Sequence, residues 1–228
     1  MKNFIFYLVF VFFVLFLDAK DNRQELSDGY SIVLLSGDSI QPILSFIEQM
    51  RLSYFREYPY LYEGTLQEER VYSAWFSKLK DSMVAVVYYN NKPVGFLTGT
   101  SFVDFSEHYT GSLTLFRNAG LDPEQYYYFG EVIIQKEHRG NSLSRKLFEL
   151  LEQYVRDLGY TKTCLVTESH KTHPCKPTDY RELDGLWIRL GYIKTSAGIT
   201  FKWNTLQVNG TKERQEHVLM YWIKDLVG

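Results

Sequence analysis

The chain has 228 residues, 45% of them hydrophobic and 23% charged, which is typical of a globular rather than a disordered protein. Its 25 basic and 27 acidic side chains give a formal charge of -2. Such a balance argues against nucleic-acid binding as the main activity, because no basic surplus is present to neutralise phosphates. The two cysteines, Cys164 and Cys175, are too few for a disulfide scaffold and permit one bridge without requiring it.

The first element is an apolar segment. Residues 4–17 are uninterrupted apolar residues, which would span about 21 Å as a helix, less than the roughly 30 Å hydrocarbon core of a membrane. With a basic start and a small residue at Ala19, they predict a secretory signal peptide over 1–19 and an exported protein. The rival is a retained membrane anchor, because Leu17 is large for a cleavage site, and a cytoplasmic enzyme is the remaining alternative. Membrane contact is expected only through 4–17.

The next part of the chain predicts antiparallel strands and two helices. The first helix should fail near Tyr58, because a residue that precedes a proline is pushed out of the helical region. The pair Asn90-Asn91 predicts a hairpin turn, since asparagine tolerates the left-handed conformation. The elements expected here are a linker over 20–29, a strand over Tyr30–Leu35, helices over 38–58 and Gln67–Lys80, and hairpin strands over Met83–Tyr89 and Pro93–Val103.

The second half alternates strands and helices. Gly159 and Gly191 are typical helix ends, and Asn209-Gly210 is a strong hairpin signal. Strand–helix–strand–helix order implies parallel strands with right-handed crossovers. The expected elements are strands over Tyr126–Ile134 and Lys162–Thr167, helices over Asn141–Leu158 and Tyr180–Leu190, and hairpin strands over Ile199–Gln207 and Glu216–Ile223. One α/β domain is therefore predicted over 30–226, a central mixed β-sheet flanked by helices.

The most informative segment joins the strand that ends at Ile134 to the helix predicted from Asn141. Its short polar loop contains Arg139-Gly140 and is followed by small residues. Such a loop exposes backbone N–H groups at a helix N-terminus, where the helix dipole adds about half a positive charge. This arrangement is typical of a pyrophosphate site, although an ordinary strand–loop–helix junction has nearly the same pattern.

These residues resemble the GCN5-related N-acetyltransferases (GNAT). Arg139–Ser144 stands where that family has Arg/Gln-x-x-Gly-x-Gly/Ala, its acetyl-CoA loop, and Leu186–Tyr192 is similar to its second signature. The order of elements also agrees over 30–226, and Phe55–Glu63 and Pro177–Asp184 resemble a bacterial subgroup without an assigned acceptor. The resemblance implies a GNAT-like fold and direct transfer of an acetyl group from acetyl-CoA to an amine of a small molecule, peptide or protein.

Two departures from the family pattern bear on function. Serines at 142 and 144 replace the loop glycines, and neither is expected to need a positive φ inside the first turn of a helix. Trp187 stands where many members have the tyrosine that protonates the departing thiolate. These departures favour, as the alternative function, a non-catalytic GNAT-fold module that binds CoA or a partner and is exported or membrane-tethered.

The resemblance also implies ligand contacts. A segment between the first two helices is expected to border the acceptor pocket, against the alternative of rim packing, through Arg56, Tyr58, Tyr60 and Tyr62. The acetyl-CoA contacts implied, including a backbone donor for the oxyanion around Ile133 and Ile134, are Ile133, Ile134, Gln135, Arg139, Gly140, Asn141, Ser142, Leu143 and Ser144. No metal is expected, because His170 and His173 lack a third ligand at suitable spacing.

Glu131 is the predicted general base, because a carboxylate within an apolar strand is costly to bury unless it is paired or used. The alternative is that it pairs with a buried basic group. Strict alternation puts Tyr128 and Gly130, not Glu131, on the face shared with Ile134. A bulge of the kind this family has would turn Glu131 round, and Tyr128 is the fallback. Tyr180 is the candidate acid, with a core tyrosine as its alternative.

Overall fold

A computed structural model of the protein describes residues 23–109, 111–168 and 174–226. The predicted leader, residues 1–19, lies outside the described residues and stays a prediction. Within those ranges, none of the helices combines the length and the apolar character needed to cross a membrane. No disulfide bond joins Cys164 to Cys175 in the part of the chain that the structure describes, so the bridge that the sequence permitted is not formed.

The described residues form one eight-stranded sheet in the order β1-β2-β3-β4-β5-β6-β8-β7. The strands are β1 Arg23–Glu25, β2 Tyr30–Ser36, β3 Met83–Tyr89, β4 Lys92–Ser101, β5 Tyr126–Ile134, β6 Lys162–Glu168, β7 Ile193–Leu206 and β8 Lys212–Asp225. The helices are α1 Leu44–Phe55, α2 Leu66–Phe76, α3 Phe102–His108, α4 Ser112–Asn118, α5 Leu143–Asp157 and α6 Asp184–Arg189. Short 3₁₀ turns lie at Gly37–Ile43, Pro123–Gln125 and Lys136–His138. The predicted α/β fold with a mixed sheet is confirmed.

The centre of the sheet holds its parallel pair. Strands β5 and β6 run parallel, whereas their neighbours are antiparallel. They pair only from Tyr126 to Tyr128 against Lys162 to Cys164 among the described residues, although both strands continue. The two strands therefore diverge beyond Tyr128, and a cleft opens between them in the middle of the sheet.

Helix α5 covers this central region. Leu143, Leu147, Leu151 and Val155 follow one another at helical spacing and are all buried against one face of the sheet. Burial of an aliphatic side chain of this size stabilises the fold by about 1.5–3 kcal/mol. This apolar stripe fixes α5 on the sheet, and with it the loop that precedes the helix.

Several predicted boundaries are wrong, among them the following three. Residues 23–25 of the predicted linker form β1, which pairs with β2. Its side chains are polar and exposed, so the sequence shows no strand pattern there. The predicted strand over Pro93–Val103 ends at Ser101, because the Ser101 side chain accepts a hydrogen bond from Asp104 N and caps α3. The last helix is α6, Asp184–Arg189, so Tyr180 precedes it rather than beginning it.

Candidate functional site

A β-bulge sits at the middle of β5. Leu97 of β4 lies opposite Val132, but Gly99 lies opposite Phe129, so two residues of β5, Gly130 and Glu131, face Thr98 alone. The bulge that the family resemblance implied is therefore present. A Cβ atom on Gly130 would stand 2.6 Å from Thr98 Oγ1, which is why the bulge requires glycine. The extra residue breaks the alternation of the strand and turns Glu131 toward the same side as Tyr128.

Both carboxylate oxygens of Glu131 are hydrogen-bonded. Oε1 accepts from the Tyr72 hydroxyl at 2.9 Å and from the Arg51 guanidinium, while Oε2 accepts from Thr98 Oγ1 at 2.6 Å. Thr98 Oγ1 also accepts from the Glu131 backbone N–H at 2.9 Å. The pairing with a buried basic group, which was the alternative to the base role, is thus present in the structure.

Arg51 has a second carboxylate partner. Its Nε donates to Glu69 Oε2 at 2.5 Å, and its guanidinium lies 4.0 Å from the centre of the Tyr72 ring. Burial alone would lower the pKa of Arg51, but the carboxylates of Glu131 and Glu69 outweigh burial and raise it. Arg51 therefore stays charged, and Glu69 gives it a carboxylate partner besides Glu131.

The network borders a cavity of about 280 Å³ on one side of β5, which we call the aromatic cavity. Helices α1 and α2, the loop that joins them, and strands β5 to β8 supply most of its wall. Its lining residues are Arg51, Phe55, Tyr60, Tyr62, Glu68, Glu69, Tyr72, Phe105, Tyr109, Tyr128, Gly130, Glu131, Val166, Phe201, Lys202, Trp203 and Leu219.

A second, narrower cavity of about 100 Å³ lies where β5 and β6 diverge, and we call it the strand cleft. Its lining residues are Phe55, Tyr60, Leu97, Phe129, Gly130, Glu131, Val132, Phe148, Leu165, Val166, Thr167, Leu183 and Trp187. Gly130 and Glu131 line both cavities, so the two spaces meet at the bulge.

The open edge of β5 presents backbone groups to the strand cleft. Gln135 N donates to Val94 O at 2.9 Å, which makes these two residues a hydrogen-bonded pair of β4 and β5. Alternation along an antiparallel pair then turns the N–H groups of Val132 and Ile134 away from β4, toward β6. Of the two positions predicted to supply a backbone donor, Ile134 has its N–H on this open side of β5 and Ile133 has its N–H on the side of β4, and neither residue lines the strand cleft. Val132, which the sequence did not single out, has its N–H on the open side and does line the strand cleft.

The loop before α5 is held by side chains. Arg139 Nε donates to Ile134 O at 3.0 Å, and Asn141 Nδ2 donates to His138 O at 3.2 Å and to the Tyr30 hydroxyl at 3.3 Å. The first amides of a helix have no partner within it. The loop therefore delivers the N-terminal amides of α5 in a fixed orientation, as an anion site requires.

Ser142 has a left-handed backbone. Its φ is +57°, and it is the N-cap of α5, which begins at Leu143 and not at Asn141. The expectation that neither serine needs a positive φ is wrong for Ser142, because that residue precedes the first turn. Ser144 lies within the helix, as expected. A left-handed non-glycine residue costs about 1–2 kcal/mol, so Ser142 carries a penalty that the family's glycine avoids.

Replacing Ser142 by glycine is therefore expected to raise the free energy of unfolding by about 1 kcal/mol and to leave acetyl-CoA affinity equal or tighter. Ser144→Gly is the matched control, expected to lower stability by about 0.5–1 kcal/mol because glycine is unfavourable inside a helix. Urea unfolding and calorimetric titration measure both effects. Lower stability for Ser142→Gly would mean that the serine side chain itself holds the loop.

The predicted acceptor residues divide into two groups. Tyr60 lines both cavities and Tyr62 lines the aromatic cavity, but Arg56 and Tyr58 line neither. Arg56 Nε instead donates to Glu63 Oε2 at 2.7 Å on the surface. Tyr58 packs edge-on against the ring of Tyr180, 4.5 Å between centroids. Rim packing, the alternative, describes Arg56 and Tyr58.

The two candidate tyrosines also differ in position. Tyr128 lines the aromatic cavity, where burial, followed by the Glu131 carboxylate, raises its pKa well above the ordinary value. Its hydroxyl therefore stays protonated at neutral pH and suits a hydrogen-bond donor better than a base. Tyr180 lines neither cavity, and burial raises its pKa to about 12.

Several residues of the site carried no sequence signal. Arg51, Glu69 and Tyr72 lie on amphipathic helices whose polar residues look like solvated faces, and Thr98 lies in a strand. Arg51 and Glu131 are 80 positions apart in the sequence, so no local sequence pattern could predict that they pair. No group of side chains that could hold a metal ion is found among the described residues.

Comparison with solved structures finds the same fold in several acetyltransferases. The Salmonella typhimurium protein yncA, solved with its cofactor acetyl-CoA, has a TM-score of 0.52 and 17% identity over 86% of this chain and 94% of its own. An aminoglycoside 6'-N-acetyltransferase complexed with coenzyme A has a TM-score of 0.51 and 13% identity, over 86% of this chain and 98% of its own. An N-acetyltransferase from Staphylococcus aureus Mu50 has a TM-score of 0.51 and 14% identity, over 86% of this chain and 98% of its own. At these identities the likeness shows the fold alone. No curated protein matches the chain.

A bulged strand, a cleft between diverging parallel strands and a loop that leads into a helix N-terminus are together typical of one class of protein, the acetyl-CoA-dependent acyltransferases. A model of the acetyltransferase (GNAT) family matches residues 47–174, more than half of the chain. The protein belongs to this family.

Proposed function

We propose that this protein transfers an acetyl group from acetyl-CoA to a primary amine by direct attack, with no covalent enzyme intermediate. The observation that carries the proposal is the junction of the strand cleft with the aromatic cavity at Gly130 and Glu131. Two substrates that enter from the two sides meet at that point, and holding them in line removes much of the entropic barrier. The similar structures solved with acetyl-CoA or coenzyme A support the choice of donor.

The residues of the chain fit such a donor. The amides at the start of α5 and the helix dipole would hold the pyrophosphate, and Arg145 and Lys146 add exposed positive charge to the first turn. The outward N–H groups of Val132 and Ile134 would bind the carbonyl groups of the donor in the strand cleft. We assign the Val132 N–H, one residue beyond Glu131, to the oxyanion.

The thioester supplies an activated acyl carbon. The lone pair of the amine attacks this carbon, a C–N bond forms, and the C–S bond breaks with its electron pair on sulfur. Because the amine arrives as an ammonium ion, two protons leave the nitrogen, one before the attack and one as the amide forms. One of them is released to solvent, and the other ends on the sulfur, which leaves as a thiol. The protein therefore has two tasks beyond binding, to accept a proton from the amine and to stabilise the sulfur as it leaves.

We assign the first task to Glu131. An alkylamine has a pKa near 10.4, so it arrives protonated and needs a proton acceptor. Glu131 borders the aromatic cavity, and its hydrogen bond from the Tyr72 hydroxyl fixes the carboxylate at the junction. Proton uptake by Glu131 leaves Arg51 paired with Glu69, so no buried cation is abandoned.

We assign the second task to Trp187. Its side chain lines the strand cleft and is 4% exposed, and no hydrogen-bond partner is present for its indole N–H among the residues that the structure describes. A buried donor left without a partner is costly. A thiolate in the cleft would satisfy it, so Trp187 would serve as a hydrogen-bond donor to sulfur rather than as an acid. Tyr180, the acid expected from the sequence, lines neither cavity.

The test begins with calorimetric titration of acetyl-CoA into the purified protein, for which we expect micromolar affinity. Thiol release is then followed after a mixture of primary amines is added, and the acetylated product is identified by mass spectrometry. Binding without amine-dependent thiol release would favour the non-catalytic binding module instead. Failure to bind millimolar acetyl-CoA would contradict both functions.

A further inference from the structure

The aromatic cavity has a wall that is largely made of rings. Nine of its seventeen lining residues are aromatic, and seven of these nine form two packed arcs. In the first arc the ring of Tyr60 lies 4.8 Å from that of Phe55 and 6.3 Å from that of Trp203, between centroids. The second arc comprises Tyr128, Phe105, Tyr109 and Phe201, with neighbouring centroids 3.8, 4.7 and 4.7 Å apart.

These rings support one another, so the wall is preformed. Phe105 stacks on Tyr128 at an interplanar angle of 21°, and Trp203 donates from Nε1 to Tyr60 O at 3.0 Å. Aromatic faces and edges bind other rings and apolar groups by contact area, with an added gain from ring–ring geometry. A flat apolar group is therefore the ligand that this wall fits.

The charged side chains of the wall already have ion-pair or hydrogen-bond partners within the protein. Arg51 is bonded to both Glu69 and Glu131. Glu68 accepts from the backbone N–H at the start of α2, and Lys202 pairs with a carboxylate of β8 at 2.7 Å. A ligand with several cationic groups would have to break these pairs to bind. The site offers a place for one amine, beside Glu131.

One side of the cavity is closed by main-chain hydrogen bonds. The loop between α1 and α2 pairs with β7 through Tyr62 and Thr205. Leu206 N donates to Leu61 O at 2.7 Å, and Glu63 N donates to Asn204 O at 2.8 Å. The edge groups of β7 from Asn204 to Leu206 are therefore taken, and an extended peptide cannot pair with them there. A volume of about 280 Å³ also lies at the small end of ligand pockets.

We propose that the acceptor is a compact primary monoamine joined to an aromatic body, rather than a polyamine or a polypeptide. This inference rests on the proposed acetyl transfer. The ring of the acceptor lies between the two aromatic arcs, and its amine points toward Glu131 at the junction with the strand cleft. The aromatic wall thus selects the body of the acceptor, while Glu131 receives its proton.

The experiment compares four acceptors at saturating acetyl-CoA: 2-phenylethylamine, n-propylamine, spermidine, and a short peptide with blocked ends and one lysine. We expect kcat/KM for 2-phenylethylamine to exceed that for n-propylamine by at least about 10-fold, because the phenyl ring is buried on binding. Spermidine and the peptide should be the poorest acceptors. A preference for either of these, or equal rates for all four, would overturn the inference.

Two variants and a binding measurement keep the inference separate from the proposed function. Phe201→Leu removes one ring of the wall and should reduce the ratio of the two monoamine rates at least threefold. Val208→Ala, an exposed position in the β7–β8 turn, should leave that ratio unchanged.

Direct binding of 2-phenylethylamine and spermidine is measured by calorimetry without turnover. If no amine is acetylated but 2-phenylethylamine binds more tightly, the proposed function fails and the acceptor class stands. Tighter binding of spermidine, or no binding of 2-phenylethylamine, overturns the acceptor class.

Discussion

Replacing Glu131 by glutamine is expected to lower kcat by at least ~100-fold, because general base catalysis contributes about 10²–10⁴. Glutamine keeps the size of the side chain and an oxygen for Tyr72 and Arg51, while its amide nitrogen faces the Thr98 hydroxyl, but it cannot take a proton. Arg51 stays paired with Glu69, so we expect the variant to fold and to bind acetyl-CoA as the natural protein does. Steady-state kinetics with the preferred acceptor and calorimetric titration of the donor measure the two quantities.

A matched variant separates proton transfer from positioning of the carboxylate. Tyr72→Phe removes one hydrogen bond from Glu131 and leaves its charge, so a loss of about 10-fold is expected, the low end of the range for a hydrogen bond to a charged group. A much larger loss of kcat in Glu131→Gln than in Tyr72→Phe would mark proton transfer rather than positioning. A Glu131→Gln enzyme that turns over at the natural rate would rule out the base role.

Replacing Trp187 by phenylalanine is expected to lower kcat by about 10–100-fold, because a hydrogen bond to a charged group contributes about 1.5–3 kcal/mol. Phenylalanine keeps an aromatic ring in the strand cleft and removes the indole N–H. The donor affinity should change little, since the bond to sulfur strengthens as the thiolate forms. Rapid-quench measurement of the acetyl-transfer step reports this effect without the product-release step.

Two further measurements test whether the N–H itself is responsible. Trp187→Tyr supplies a hydroxyl donor on a side chain similar in size to phenylalanine, so it should recover a large part of the rate. In a nitrogen-edited proton NMR spectrum, the indole signal of Trp187 should move when coenzyme A is added. The signal of Trp203, whose N–H already bonds Tyr60 O, serves as the internal reference. A Trp187→Phe rate within twofold of the natural one contradicts the assignment.

Local patterns predicted most of the fold. Strand β5 was predicted with the limits that it has, and the asparagines of the first hairpin adopt the left-handed conformation expected of them, with φ of 48° and 63°. Periodicity and turn residues suffice for such elements because both depend on near neighbours. Helices α3 and α4 were not predicted, since each has seven residues and is too short to show a helical period.

The site was harder to predict than the fold. Glu131 was identified because a charge in an apolar strand is conspicuous, and the bulge that exposes it follows from the family resemblance. Its partner Arg51 lies in a helix with an ordinary polar pattern, and only tertiary packing brings the two together. The backbone conformation of Ser142 could not be predicted from the motif. The helix was predicted from Asn141 but begins at Leu143, so Ser142 precedes the helix and is left-handed.

The bulge in β5 lies between two groups of residues in which substitutions would have different effects. Most of the aromatic wall comes from the loop between α1 and α2, from α2 and α3, and from the β7–β8 hairpin, whereas the donor loop and α5 lie beyond β5. Apart from Tyr60, which also lines the strand cleft, substitutions in the first group would alter which amine is accepted without touching the residues that we propose to hold the donor. Loops and hairpins at the border of a rigid sheet are also the segments that tolerate change best. The architecture therefore lets acceptor choice drift during evolution while the acetyl-transfer chemistry stays fixed.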